Sequence, residues 1–223
     1  MGKKSGENLR KSSAHNRGLV LQLVATGEAV TRIELARRTG LTKMTISNIV
    51  SEFLERGLLE ECEEELTQNC GRNPIRLEIS PHAPKIVGLL IFRERLEAVL
   101  CDLRLQILRR ARWDFTELDR EELLKRSCGL IDQVAEGGER ILGIGVASIG
   151  PVNIKKGMIL NPPRFFGITD VPIVEELKKR YEWPVYMDHD SNSGALAEKL
   201  FGVGKRVQDF LFLEVTNGIG SGI

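Results

Sequence analysis

The chain has 223 residues, 42% hydrophobic and 28% charged, an ordinary globular composition and a length that suits one large domain or two smaller ones. Its formal net charge of +1 conceals a segregation: Met1 to Arg56 carries ten Lys/Arg against five Glu, which points to nucleic acid or, more plainly, to a solvated basic surface. No run approaches the length of about 20 apolar residues that a membrane span needs, and Met1–Asn16 lacks the apolar core of a signal peptide. Cys62, Cys70, Cys101 and Cys128 form no C-x-x-C pair, and none of His15, His82 and His189 stands at metal-ligand spacing to a cysteine. The expectation is therefore a cytoplasmic protein with reduced thiols, no metal site, no cofactor and no membrane partner.

The spacing predicts a helix through "HNRGLVLQLVATGEA", with Leu19, Val20, Leu23 and Val24 on one face and Gly27 ending it. In "TRIELARRTG", Thr31 caps a short helix, Glu34 completes a capping box, and Gly40 terminates the helix. Thr42 caps a third, "TKMTISNIVSEFLERG", whose Ile46, Ile49, Val50, Phe53 and Leu54 form one apolar stripe; Gly57 ends it.

Two short helices joined by a tight, glycine-containing turn make a helix-turn-helix. Ala36 is small enough for a close helix crossing, Gly40 and Leu41 make the turn, and Ile46 plugs the third helix into the core. The first turns of that helix expose Lys43, Met44, Thr45, Ser47, Asn48 and Ser51, small polar groups and a cation that suit a DNA major groove. Thr45, Ser47 and Asn48 are assigned to base edges and nearby phosphates, Lys43 to a phosphate, and Thr42 joins them at the cap. The alternative is a three-helix interaction module that binds no DNA. The basic bias, the tight turn and the polar start of the helix favour the DNA reader.

After Gly57 the period changes. "LLEECEEEL" and "IRLEIS" read as two strands around the turn-like "TQNCGRNP", a hairpin that forms the wing of a winged helix. Its tip presents Arg72 to a minor groove or a phosphate, or leaves it as a solvated loop arginine. The run Glu60–Glu65 reads as a solvated strand edge without a function. "SPHAP" reads as a linker, so the predicted organisation is a DNA-binding domain over 1–79, a linker over 80–84 and an α/β domain over 85–223. In that domain "KIVGLLIF", "LEAVLCDL" and "QILRRARWDF" are strands and "REELLKRSCGLIDQVAE" a helix. "ILGIGVAS" is a buried strand, "IVEELKKRYE" a helix, "WPVYM" a strand, "SNSGALAEKLFG" a helix and "DFLFLEV" the last strand. A three-strand meander followed by alternating helices and strands predicts a mixed sheet with helices packed on it. In the closing "VTNGIGSGI", Gly218, Gly220 and Gly222 follow a strand, a usual place for backbone N–H groups to cradle a phosphate.

The order of a winged helix, "GRNP", "ILGIGVASIGPV", "NPPRFFGITDVPI", "DHDSNSGALAE" and "VTNGIGSGI" resembles the ROK family of sugar kinases, open reading frames and repressors. The resemblance covers nearly the whole chain, and the N-terminal reader is similar to that of the family's sugar-responsive repressors. It implies an actin/hexokinase-like ATPase fold for 85–223, with sugar bound between two lobes. It also implies that only the first lobe lies before Ile223. The second would bring further sugar contacts, often a Cys/His zinc site, and much of the interface of a homodimer.

Departures from the kinase pattern matter for function. Where the family's kinases resemble G-x-D-x-G-x-T, this chain has "GLLIFRER". Leu90 replaces the Asp that organises metal and phosphate, and Phe92 replaces a Gly that lets the backbone approach. Thr216 and Asn217 precede Gly218 where the kinases usually show G-T-G-I-G. Two altered phosphate loops speak against phosphoryl transfer, which depends on positioning and charge stabilisation. The sugar side matches better. Asp190 in "DHDSN" falls at the kinase general base and, in a repressor, hydrogen-bonds a sugar hydroxyl; the plain alternative is a helix cap. Asn192 supports the site or sits on the first helical turn. His189 replaces the usual Asn, and Arg164 stands where many members have Asn, favouring an anionic ligand or lying in a surface loop. Gly150 makes a turn near the ligand or only a tight strand exit.

The leading reading is a repressor that binds a double-stranded DNA operator and senses a carbohydrate or sugar phosphate, with no catalytic residue. A sugar kinase with an appended reader, and a ligand-independent DNA-binding protein, are the alternatives.

Overall fold

Three helices open the chain: α1 (Ser5–Ala25), α2 (Arg32–Thr39) and α3 (Lys43–Glu55), followed by the antiparallel pair β1 (Leu59–Cys62) and β2 (Arg76–Ile79). The computed structural model describes residues 5–62, 75–216 and 218–223, with side chains from Ser12 onward, so Arg72 and Asn217 lie outside the described residues. The chain divides into two units, Met1–Ala83 and Pro84–Ile223.

The local signals of the helical unit are realised in detail. Thr31 caps α2 and Glu34 closes the capping box, while Gly40 ends the helix at φ 69°, a left-handed conformation that glycine adopts without a Cβ clash. Thr42 caps α3 through its side chain. Leu35, Ile46, Val50 and Val20 are completely buried, and each contributes about 1.5–3 kcal/mol by leaving water. The first helix starts ten residues before the predicted start at His15, because Ser5–Ala14 holds one large apolar residue, Leu9, and so shows no periodicity.

The second unit is built on a five-stranded sheet of order β5-β4-β3-β6-β9. Its members are β3 (Lys85–Ile91), β4 (Arg95–Cys101), β5 (Ile107–Asp114), β6 (Ile141–Ser148) and β9 (Val185–His189). The first three form an antiparallel meander; β6 and β9 join parallel, each after a helical crossover, α4 (Arg120–Ala135) and α5 (Ile173–Arg180). Val87, Leu89 and Ile91 of β3 meet Leu123, Ile131 and Val134 of α4 and Ile173 and Leu177 of α5 in one apolar cluster. Between β6 and α5 the chain adds a short pair that the sequence reading did not foresee, β7 (Val152–Asn153) with β8 (Met158–Ile159).

Two expectations change here. The strand predicted in "DFLFLEV" is β10 (Phe212–Val215), but it does not join the sheet: it pairs with β11 (Ile219–Gly222) in a separate hairpin. The glycine-rich ending is thus mostly extended strand, not a turn. The hairpin packs on α6 (Asp190–Leu200), and the glycines make that possible. A Cβ on Gly220 would overlap the Ser191 hydroxyl, and one on Gly222 would overlap the Ser191 carbonyl oxygen.

Candidate functional site

Within the helical unit, the start of α3 is the polar end of a helix held from behind by Ile46, Ile49, Val50 and Phe53. Thr42 Oγ1 accepts the Thr45 N–H at 3.2 Å and lies 2.9 Å from Thr45 Oγ1. Thr42, Lys43 and Asn48 are exposed, Thr45 and Ser47 half-buried, and Met44 is 75% exposed. All five described residues predicted for DNA therefore share the first turns of one helix; Arg72, the sixth, lies outside the described residues. Arg17 of α1 fixes α3 from the side, holding Glu52 at 2.7 Å through both Nε and Nη2 and keeping that carboxyl below its usual range.

The second unit contains a cleft of about 560 Å³, within the range of small-molecule sites. It lies at the C-terminal ends of β3, β6 and β9, where open α/β sheets bind ligands because loops diverge there. His189 and Asp190 line it, at the junction of β9 and α6. The helix cap is His189, not Asp190, which is the first residue of α6. Asp190 Oδ1 accepts from Ser191 N at 2.7 Å and Ser191 Oγ at 3.2 Å, and lies 2.8 Å from His189 Nδ1. His189 Nδ1 is also 3.3 Å from Ser191 N. Nδ1 accepts that N–H, which is how the His189 side chain caps α6. Oδ1 is thus engaged by Ser191, while Oδ2 has no partner among the described residues and can accept a ligand hydroxyl.

The other predicted ligand residues fall elsewhere. Asn192 is exposed and donates to Asp188 Oδ1 at 3.0 Å, an ordering contact within β9–α6 that lies outside the cleft lining. Arg164 is exposed, at φ 57°, and its neighbour Pro163 rather than Arg164 itself forms the wall. Gly150 does line the cleft, and a side chain there would collide with the His189 ring.

Leu90 is locked in β3 opposite Glu97 and stays outside the cleft lining, while Phe92, at the β3–β4 turn, is part of it. The Arg95 guanidinium covers the Phe92 ring at 4.2 Å, and Arg93 donates to the Pro163 carbonyl. Arg112 grips Asp114 through Nε and Nη2, at 2.8 and 2.6 Å, which holds the Asp114 carboxyl below its usual range. Sequence reading missed Arg93, Arg95, Ser191 and Glu214. The two arginines flank Glu94 beside the altered phosphate turn, so the cations next to Phe92 were the available sign. Among the described residues no group of three or more His, Cys, Asp or Glu is placed to hold a metal ion. Burial pushes the Cys101 and Cys128 thiols up, away from nucleophilic thiolate. No helix among the described residues is long and apolar enough to cross a membrane.

The meander, the two parallel crossover strands and a cleft beyond their ends define a kinase-like lobe of the actin/hexokinase type, and the solved structures agree: a ROK hexokinase from Thermus thermophilus matches 62% of this chain and 46% of its own, with a TM-score of 0.55 and 28% identity. The chain belongs to the ROK family, whose profile matches residues 86–223. Relatives extend the likeness through the helical unit. A xylose repressor of Caldicellulosiruptor bescii is 28% identical over 214 residues, covering 93% of this chain and 53% of the relative. The DNA-binding transcriptional repressor Mlc of Escherichia coli is 28% identical over 212 residues, covering 93% and 52%. A crystal structure of a ROK family transcriptional regulator homologous to Mlc superimposes with a TM-score of 0.75 at 25% identity, over 93% of this chain and 53% of that one. The chain spans about half the length of the curated relatives it matches.

Proposed function

We propose that this chain is the DNA-reading and effector-binding part of a cytoplasmic transcriptional repressor. In this reading α2, its turn and α3 are the helix-turn-helix, and β1 and β2 are the wing that carries Arg72 toward a minor groove or phosphate. The observation that carries it is the start of α3, where Thr42, Lys43, Thr45, Ser47 and Asn48 are gathered on a helix whose opposite face is anchored in the core. Thr45, Ser47 and Asn48 meet base edges and neighbouring phosphates, and Lys43 adds affinity without sequence choice. The cleft of the second unit senses a carbohydrate or derivative, with Asp190 Oδ2 accepting a hydroxyl. In a homodimer of the full-length protein, a ligand that binds two arrangements unequally shifts the relation between the two readers.

The chain is read as no enzyme. Phe92, covered by Arg95, occupies the turn where the family's kinases bring backbone to phosphate, and Leu90 supplies no carboxylate for metal. The DNA reading is tested by selecting duplexes from a random pool, then comparing the wild type with Thr45→Ala, Ser47→Ala and Asn48→Ala in gel-shift titrations at fixed salt. Selectivity for the chosen duplex should drop by about 1–3 kcal/mol per lost base contact; unchanged selectivity in all three sinks the assignment. Transfer of phosphate from ATP to any hexose would overturn the non-enzyme reading.

A further inference from the structure

The cleft of the second unit is chemically polarised. One side carries carboxylates already engaged by protein groups: Asp190 through Oδ1, and Glu214, whose Oε2 faces the Ser191 hydroxyl at 3.3 Å. The other side carries Arg93 and Arg95 from the β3–β4 turn. Neither makes an ion pair among the described residues. Arg93 donates to a neutral carbonyl, that of Pro163. The Arg95 guanidinium sits over the Phe92 ring, and its Nε is buried with no hydrogen-bond partner among the described residues. Two carboxylates share this side: Asp114 is taken by the two-pronged grip of Arg112, and Glu94 stands exposed between the two arginines on the turn. A guanidinium is a rigid fork of donors matched to the paired oxygens of phosphate or carboxylate, and a buried donor left unpaired is costly. Here two such forks, one braced by an aromatic ring, face a cleft large enough for a monosaccharide.

We propose that Arg93 and Arg95 form an anion subsite, and that the effector is a carbohydrate bearing a phosphate or carboxylate group, its hydroxyls at Asp190 and its anion at the arginines. The proposal deepens the sensor reading and rests on it for the sugar half of the ligand. It also gives the altered turn a purpose: side-chain guanidinium donors take the place of the backbone amides that a glycine turn would offer.

Inorganic phosphate is the first probe. At constant ionic strength, millimolar phosphate in place of chloride should raise the thermal unfolding midpoint of the wild type. The double variant Arg93→Gln/Arg95→Gln should lose that effect, and Arg120→Gln, on the exposed start of α4, should keep it. If the double variant does not fold by circular dichroism, Arg93→Gln alone serves, because Arg93 is half-buried on a turn. Calorimetry with D-glucose, D-glucose 6-phosphate and D-glucuronate then separates the anion sources. One charged form should bind at least about tenfold tighter than glucose, as charge-assisted paired hydrogen bonds allow, and the advantage should vanish in the arginine variants. Equal midpoints in phosphate and chloride, or a phosphate effect that survives in the variants, overturns the subsite. If phosphate acts through the arginines while Asp190→Asn alters the binding of no sugar, the subsite stands and the sensor reading falls. If glucose binds through Asp190 as tightly as both charged forms, the sensor reading stands and the anionic effector falls.

Discussion

Gly222→Ala should destabilise the second unit, and the reason can be worked out atom by atom. A Cβ at Gly222 would overlap the Ser191 carbonyl oxygen and lie 2.6 Å from the Ala195 Cβ. Neither obstacle can rotate away: one is backbone of the first turn of α6, the other a methyl group fixed to the same helix. The β10–β11 hairpin must lift, an overpacking cost of about 1–3 kcal/mol. At Gly220 the obstacle is the Ser191 hydroxyl, which can turn aside. It then abandons Asp190 and Glu214 inside a residue with no exposed surface, so Gly220→Ala costs about 1 kcal/mol, the lower end for a stranded buried hydroxyl. Gly129→Ala supplies the opposite sign. Gly129 sits within α4, is exposed, and has nothing within 4 Å of an added Cβ. Alanine there should stabilise by about 0.5–1 kcal/mol, because it restricts the unfolded chain. Urea denaturation followed by circular dichroism should rank the midpoints as Gly129→Ala, wild type, Gly220→Ala, Gly222→Ala. A Gly222→Ala midpoint at or above the wild type would refute the seating of the hairpin on α6.

In the helical unit, Thr31→Ala should cost about 1 kcal/mol of stability by removing the cap of α2. The same capping box makes stability fall in acid. Glu34 accepts from the N–H groups of Val30 and Thr31 at 3.0 and 3.1 Å, which holds its carboxyl below the ordinary value of 4.5. Its folded pKa is depressed, so its contribution is fully present above pH 4.5 and is lost as pH falls through the lowered folded value. Denaturation of Glu34→Gln between neutral and acid pH should show a shallower loss than the wild type. Some loss should persist, because Glu52, depressed by Arg17, titrates with the same sign; identical slopes would remove Glu34 from the account. Ile46→Ala, at a side chain with no exposed surface, should cost about 2–5 kcal/mol, and loss of helical signal together with DNA binding is the readout.

Much of the first unit was legible because its information is local. Caps at Thr31 and Thr42, the left-handed Gly40, and the spacing of Ile46, Ile49, Val50 and Phe53 each act within a turn or two of helix, so adjacent residues suffice to state them. The meander and the buried β6 were legible for the same reason, through alternation and apolar runs. The start of α1 was not, since Ser5–Ala14, with Leu9 its one large apolar residue, carries no periodic mark.

The cleft is a different matter. The sequence by itself determined that a carboxylate follows β9 and that Leu90 and Phe92 alter the glycine turn after β3. Only the tertiary structure decided that these segments face one cavity, that Asn192 turns to Asp188 and Arg164 to solvent, and that Gly220 and Gly222 seat a hairpin on a helix rather than cradle a phosphate. The physical reason is that the strand order brings residues about a hundred positions apart, such as Arg93 and Asp190, to one cleft, and β10–β11 packs on a helix about thirty positions away; no local propensity encodes which of them will meet.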